Sequence, residues 1–232
     1  MTKAEVMTLL EENRNERGEV NWEKLGDRRG GLKSFGIGLT QLRKLSKQVG
    51  RDPRLAGQLW KTKNHDAKVV GLLIDDPKQL TREQVEAQVE EVGAGMLAHV
   101  FSSCDATLPK ASFAFDLATE WMDSQDPLRR QCGYGVIYEL SKKPKHPGMT
   151  DEFCLTCLER IDREILDEVA SVRGSMSAAL MGIGKRNRKL NRAAIKIAKR
   201  IGPVSWDDDT NCEPFDVLKH LTSDYIREKL GT

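Results

Sequence analysis

Apolar side chains recur along this chain at intervals of three and four, interrupted by short polar breaks, which is the pattern of helices that each bury one face. Residues 3–16 read as an amphipathic opening helix with Val6, Leu9 and Leu10 inward, and a loop rich in glycine and charge follows over residues 26–31. From Leu39 the pattern is helical again, with Leu42 and Leu45 inward and Arg43, Lys44 and Lys47 outward, until Gly50 and Pro53 stop it. Residues 55–61 carry Leu55, Leu59 and Trp60, Asn64 caps a helix over 65–75, and Thr81 with Gln84 has the form of a capping box before Val85, Val89 and Val92. Phe113, Leu117 and Trp121 make one stripe. Asp126 before Pro127 is a strong start for a helix to about residue 142, closed by Pro144 and Pro147. Thr150 caps a helix with Phe153, Cys157 and Ile161 inward, residues 168–184 form a helix rich in small residues, and a last clear helix covers 188–200.

No convincing strand interrupts this series, so the chain reads as all-α, either a bundle or a solenoid. A short echo favours the solenoid: Leu59-Trp60 and Glu120-Trp121 lie 61 positions apart, and each is followed by a similar helix start. The reading is one helical-repeat domain over 1–232, with an N-terminal helix and loop (1–34), a repeat core (35–203) and a C-terminal tail with a short helix (204–232).

Composition narrows the class. Aromatics are 6% and charged residues 31% of 232 residues, as in helical, repeat-built proteins. No run of about 18 apolar residues spans a membrane, and the first residues lack a signal-peptide core, so a cytoplasmic protein is expected. Five cysteines, an odd number scattered from 104 to 212, fit reduced thiols. The net charge of +2 says little, but residues 185–200 hold eight basic side chains and no acidic one, while Asp207, Asp208 and Asp209 follow.

On a helical wheel Leu190, Ala194, Ile197 and Ile201 oppose Lys185, Lys189, Arg192, Lys196 and Arg200. Such a stripe is either a solvated outer face or a ridge that contacts phosphates and releases counterions from a polyanion. It lacks interleaved aromatics, so duplex backbone is the expected target rather than stacked single strand. Phe101 and Asp105, four residues apart, would share one helical face; each is also a common core or capping residue. Arg129 and Arg130 stand at a helix start, where the dipole disfavours cations, which asks for another reason for their presence. Cys154 and Cys157 resemble half a zinc or redox motif without its second half. Gly182-Ile-Gly184-Lys185 lacks the rest of a phosphate loop, and residues 207–213 lack calcium-loop spacing. His65 and His99 have no evident serine or cysteine partner in a nucleophile context. No metal and no cofactor is expected.

Over residues 30–203 these features together resemble the AlkD-like DNA alkylation repair family, the glycosylases built from HEAT-like repeats. The resemblance rests on Phe35-Gly-Ile-Gly38 followed by a helix through Leu42-Arg43, on Leu59-Trp60 with His65-Asp66-Ala67, on Phe101 to Asp105 where the family has Trp, three residues, then Asp, on Leu128-Arg129-Arg130, and on Ile183 to Asn187. It implies a right-handed, armadillo-type solenoid of HEAT-like helical repeats whose basic concave face holds duplex DNA. It implies hydrolysis of the N-glycosidic bond of cationic N3- or N7-alkylated purines. In that scheme Asp105 stabilises the oxocarbenium-like transition state, Phe101 contacts the deoxyribose, Arg130 clamps a phosphate, and Arg129, Lys185, Arg186, Arg188, Lys189, Arg192 and Lys196 contact DNA. Two positions depart from the pattern: Phe101 replaces a tryptophan, and a second family aromatic is absent near Ala178. The expected partner is duplex DNA with alkylated purines, bound by a monomer. The rival reading is a non-catalytic helical-repeat module that binds nucleic acid or scaffolds a protein.

Overall fold

The computed structural model describes residues 1–93, 95–205 and 213–231. It is helical throughout, and among the described residues extended pairing is limited to isolated bridges at Lys33–Asn64 and Val204–Phe215. Two compact units divide the chain, residues 1–114 and 115–232. Where the sequence reads as one repeat domain in three sections, the packing divides it in two. The acidic stretch at 207–209 and Cys212 lie outside the described residues.

The first unit begins with α1 (Lys3–Glu12), opened by a capping box in which the Thr2 hydroxyl accepts from the Glu5 N–H and the Glu5 carboxylate accepts from the Thr2 N–H. The expected helix over 3–16 stops at Glu12, and Asn15 caps a helix the pattern did not announce, α2 (Glu16–Glu23), whose only buried residue is Trp22. Then come α3 (Leu39–Val49), α4 (Pro53–Trp60), α5 (His65–Ile74), α6 (Arg82–Val89) and α7 (Leu97–Ser102). α5 is the centre of this unit. It packs against α1, α3, α4 and α7, and every residue but Leu73 is buried. Its apolar residues Val69, Val70 and Leu72 each contribute about 1.5–3 kcal/mol by leaving water. Two of its buried charged residues, Asp66 and Lys68, are matched, whereas the buried His65 leaves its Nε2 without a hydrogen-bond partner among the described residues and packs against the Trp22 ring. Asp66 accepts from the Ser34 hydroxyl and the Phe35 N–H, which fixes the aromatic-glycine turn, while Lys68 reaches Glu91 at 2.9 Å and lies 4.1 Å from the Trp60 ring centroid.

The second unit holds α8 (Ala114–Met122), α9 (Pro127–Ser141), α10 (Asp151–Glu164), α11 (Ala170–Gly184), α12 (Arg188–Ile201), α13 (Val217–Leu221) and α14 (Asp224–Leu230). α11 is its centre, packed most extensively on α9. Small residues make that approach close: a Cβ on Gly182 would meet the Tyr138 ring at 2.9 Å and come nearer still to Ser141. α12 lays Leu190, Ala194, Ile197 and Ala198 against α10, α11 and α13 and leaves Lys189, Arg192 and Lys196 exposed. Asn191, buried, donates to the carbonyls of Gly184 and Leu221, tying α12 to the ends of α11 and α13. No helix among the described residues is long and apolar enough to cross a membrane.

Candidate nucleic-acid interface

α7 ends earlier than its sequence spacing suggests. Ser102 and Ser103 turn their hydroxyls back onto the carbonyls of Ala98 and His99, and the chain then adopts left-handed backbone at Cys104 (φ 59°) and Asp105 (φ 68°). Two successive non-glycine residues in that region are uncommon, and such strain clusters at functional sites. The turn is held at both ends. Thr107 is anchored to α5, its N–H donating to the Leu72 carbonyl, and the Lys110 ammonium donates to the Asp105 carbonyl. Cys104 Sγ lies 3.0 Å from His99 Nε2, a thiol–imidazole contact that corrects the reading of His99 as lacking a cysteine neighbour.

The turn separates the two residues expected to share a face. Phe101 is 1% exposed and lines a small crevice with Leu72, Leu80, Ala106 and Leu108, so its placement corrects the expectation of a ring offered to deoxyribose. The physical reason is burial: α7 is too short to have an outer face, and Leu97, Ala98, Val100 and Phe101 all go inward. Asp105 goes the other way, with its side chain 77% exposed. It stands at a recess of about 500 Å³ lined also by Arg43, Lys47, Arg51, Leu73 and Lys110, with Arg43 Nη2 3.5 Å from its carboxylate. Arg51 approaches Asp76 at 4.0 Å, and Lys47 and Lys110 are exposed. A single exposed carboxylate among four cationic side chains can meet a positive charge that sits between phosphates. Of these cations, Arg43 and Lys47 stand on the polar face of α3 in the sequence pattern; Lys110 carried no signal beyond following Pro109.

In the second unit the basic residues fall into two groups. Arg130 is committed within the fold. Its guanidinium forms a two-pronged pair with Glu168 (2.6 and 2.8 Å) and donates to the carbonyls of Ser124 and Gln125, and the hydrogen bond to Glu168 raises its pKa further. This corrects its expected role as a phosphate clamp: the fork of donors is already filled. The two terminal nitrogens of Arg186 are likewise taken, donating to the carbonyls of Ser141, Lys143, Pro144 and Met149, and its Nε is buried, so it gathers the end of α9 and the loop after it instead of facing DNA. Arg188, though exposed, donates to the Leu230 carbonyl, and Arg129 lies against Asp126 and over the Trp121 ring. Lys189, Arg192 and Lys196 are exposed on the side of α12 opposite Leu190, Ala194 and Ile197. Lys185 sits half-buried at the end of α11, where burial and then the charges of Lys229 and Lys142 push its ammonium below the usual lysine range. Ala178, the position of the absent family aromatic, is buried in α11.

Cys154 and Cys157 are buried in α10, and burial pushes the Cys157 thiol up to about 12. No group of three or more metal-ligating side chains stands together among the described residues.

A family model described as "DNA alkylation repair enzyme" matches residues 6–205. The chain is 23% identical to the uncharacterized protein Lin0241 of Listeria innocua over 201 residues, 82% of this chain and 83% of that protein. It is likewise 23% identical to the uncharacterized protein Lmo0209 of Listeria monocytogenes over 209 residues, 85% and 86% of the two chains. Among solved structures it resembles one described as "a new family of proteins related to the HEAT-like repeat DNA glycosylases with affinity for branched DNA structures", with a TM-score of 0.83 and 23% identity over all of this chain and 97% of that one. That likeness shows the fold, the HEAT-like helical-repeat arrangement anticipated from the sequence.

Proposed function

This chain belongs to the DNA alkylation repair enzyme family, and on that premise we propose that it binds duplex DNA and hydrolyses the N-glycosidic bond of cationic N3- or N7-alkylated purines, with Asp105 as its catalytic carboxylate. An alkylated purine leaves as a neutral base with the electron pair of the C1′–N bond, and the positive charge passes to the sugar. Asp105 stabilises that oxocarbenium-like charge and orients the water whose oxygen bonds to C1′. Water gives up one proton, which the carboxylate or solvent takes. Arg43, Lys47, Arg51 and Lys110 hold the flanking phosphates and so keep the sugar against the carboxylate. Phe101 and Arg130 have no part in this scheme. The observation that carries it is the exposed Asp105, pinned by a left-handed turn in a cation-lined recess.

The test is release of 7-methyl- and 3-methylpurines from methylated duplex DNA. Asp105→Asn is expected to slow release by roughly a hundredfold or more, the scale of losing one preorganised electrostatic group. Absence of release by the unaltered protein, or an unchanged rate in Asp105→Asn, overturns the proposal.

A second reading has specific support. With Phe101 in the core and Arg130 filled by Glu168, two of the three side chains assigned to chemistry by resemblance are withdrawn, which favours DNA binding without excision. The affinity for branched DNA of the structurally similar family fits this reading. Salt-dependent binding that is indifferent to Asp105, with no methylpurine released, would establish it.

A further inference from the structure

The second unit carries a recess that the repair chemistry does not use. It measures about 510 Å³ and lies where the end of α9, the α11–α12 junction and α14 meet. Lys142, Lys185, Arg186 and Lys229 line it, with Tyr138 and Tyr225. Two of these cations are already occupied: Lys142 pairs with Glu139 at 2.8 Å and covers the Tyr138 ring, and Arg186 is filled by four carbonyls. Lys185 and Lys229 have no carboxylate partner among the described residues; the Lys229 ammonium reaches only the Lys185 carbonyl, at 3.2 Å. Asp151 also lines the recess but accepts from Asn187 at 2.9 Å, in the first turn of α10, where a negative charge is favoured. A cavity wall therefore holds two ammonium groups in want of an anion.

Tyr225 supplies the second element. It is 70% exposed, the most exposed large hydrophobic side chain among the described residues. It stands one helical turn before Lys229, on the same side of α14, so a ring and an ammonium present themselves together at the recess. A planar ring beside paired cations matches a nucleotide: a base stacks on the ring while its phosphate meets the ammonium groups. A carboxylate-bearing peptide would use the cations and leave the ring idle.

We infer that this recess binds a single unpaired nucleotide, its base on Tyr225 and its phosphate between Lys185 and Lys229. For a nucleotide within a strand the inference rests on the reading of this chain as DNA-binding, and it adds a preference for duplexes that end in, or contain, a single-stranded step. It also supplies the aromatic partner that α12 itself lacks.

The experiment compares, at one salt concentration, a blunt duplex with the same duplex bearing a three-nucleotide overhang that contains 2-aminopurine. Anisotropy of a distant dye reads affinity and 2-aminopurine quenching reads stacking. The overhang is expected to bind about tenfold tighter and to be quenched. Tyr225→Ala should abolish both effects while blunt-duplex binding stays unchanged, Tyr225→Phe should keep them, and Lys185→Gln should weaken overhang binding severalfold. In a parallel arm, 2-aminopurine riboside 5′-monophosphate is titrated alone. Quenching there that depends on Tyr225 and is as strong as with the overhang identifies a free nucleotide as the ligand; weaker quenching identifies a strand. Equal affinity for the two duplexes without quenching in either arm, quenching that survives Tyr225→Ala, or displacement of the probe by poly-glutamate as readily as by single-stranded DNA overturns the inference. Blunt-duplex binding and methylpurine release in the same preparation test the repair reading separately. If duplex binding fails while the monophosphate is quenched through Tyr225, the recess stands and the DNA reading falls.

Discussion

The two recesses are nearly equal in volume and both are lined by lysine and arginine, yet they differ in one respect that decides their chemistry. In the first unit a carboxylate, Asp105, stands exposed among four cations, 3.5 Å from Arg43; in the second the one lining carboxylate, Asp151, sits in the first turn of α10 with one oxygen accepting from the Asn187 amide. Cations alone attract an anion and do no more. Cations around an exposed carboxylate hold an anion on either side of a group that becomes positive, which is the electrostatic need of a breaking glycosidic bond. The basic residues closest to the family pattern, Arg130 and Arg186, belong to neither task, because the fold has already used their donors. A basic residue in a repair protein thus contributes to binding only in so far as its own chain leaves it unfilled.

The largest effect tests that last distinction. Arg130→Ala would leave Glu168, whose side chain is 13% exposed, without its partner and would strip two carbonyls of their donor. A loss of about 2–3 kcal/mol is expected, below the range for fully buried pairs because both groups keep some contact with water. For a chain of this length that lowers the melting temperature by roughly 4–12 °C. Thermal melts and DNA affinity should be measured on the same sample. Unchanged stability with weakened binding would make Arg130 a ligand group and break the comparison.

Asp105→Gly sharpens it from the other side. Glycine accepts a left-handed φ without strain but is more flexible in the unfolded chain, so the two effects oppose each other. The expected net gain is about 0.5 kcal/mol, a melting temperature raised by roughly 1–2 °C while methylpurine release is lost. A marked fall in stability would mean that the carboxylate is held for the fold, through Arg43, and not for a substrate.

How much of this was legible in the sequence follows the range of the interactions. Helix starts at Thr2, Asn64, Asp126, Thr150 and Asn187 are local events, a side chain bonding an N–H two or three residues on, and the caps read from the sequence at Asn64, Asp126 and Thr150 form as read; Thr81 caps its helix too, but the expected capping box stays half-formed because the Gln84 amide donates to Asp75, nine residues back. α2 was missed because one buried tryptophan makes no stripe. α7 was read as continuing to Asp105 because its spacing is helical; the serines that end it act through hydroxyl–carbonyl bonds that periodicity does not register. The site residues depend on distant partners. Glu168 is 38 residues from Arg130, and the carbonyls that fill Arg186 are 37 to 45 residues away. Neither pairing leaves a trace in the local pattern, so a motif match alone placed both arginines at the DNA.

The smallest effect is one of pH, and it belongs to the second recess alone. Around Lys185 stand Lys142 at the C-cap of α9, Lys229 on α14 and His220 on α13, with Asp151 and Arg186 on the same wall, an excess of positive charge. Burial first, and then Lys229 and Lys142, lower its pKa from the ordinary lysine value. In the free protein the charged form is therefore disfavoured: the unfolded chain holds this proton more tightly, and stability rises with pH between the lowered pKa and the ordinary one. A bound phosphate reverses the preference by favouring the ammonium. Nucleotide binding should then take up protons, and affinity for the overhang should fall a few-fold as pH rises through the lowered Lys185 value, still below the ordinary lysine range. Lys185→Gln should flatten that dependence while leaving blunt-duplex binding without it. The same slope appearing in methylpurine release would erase the difference between the two sites.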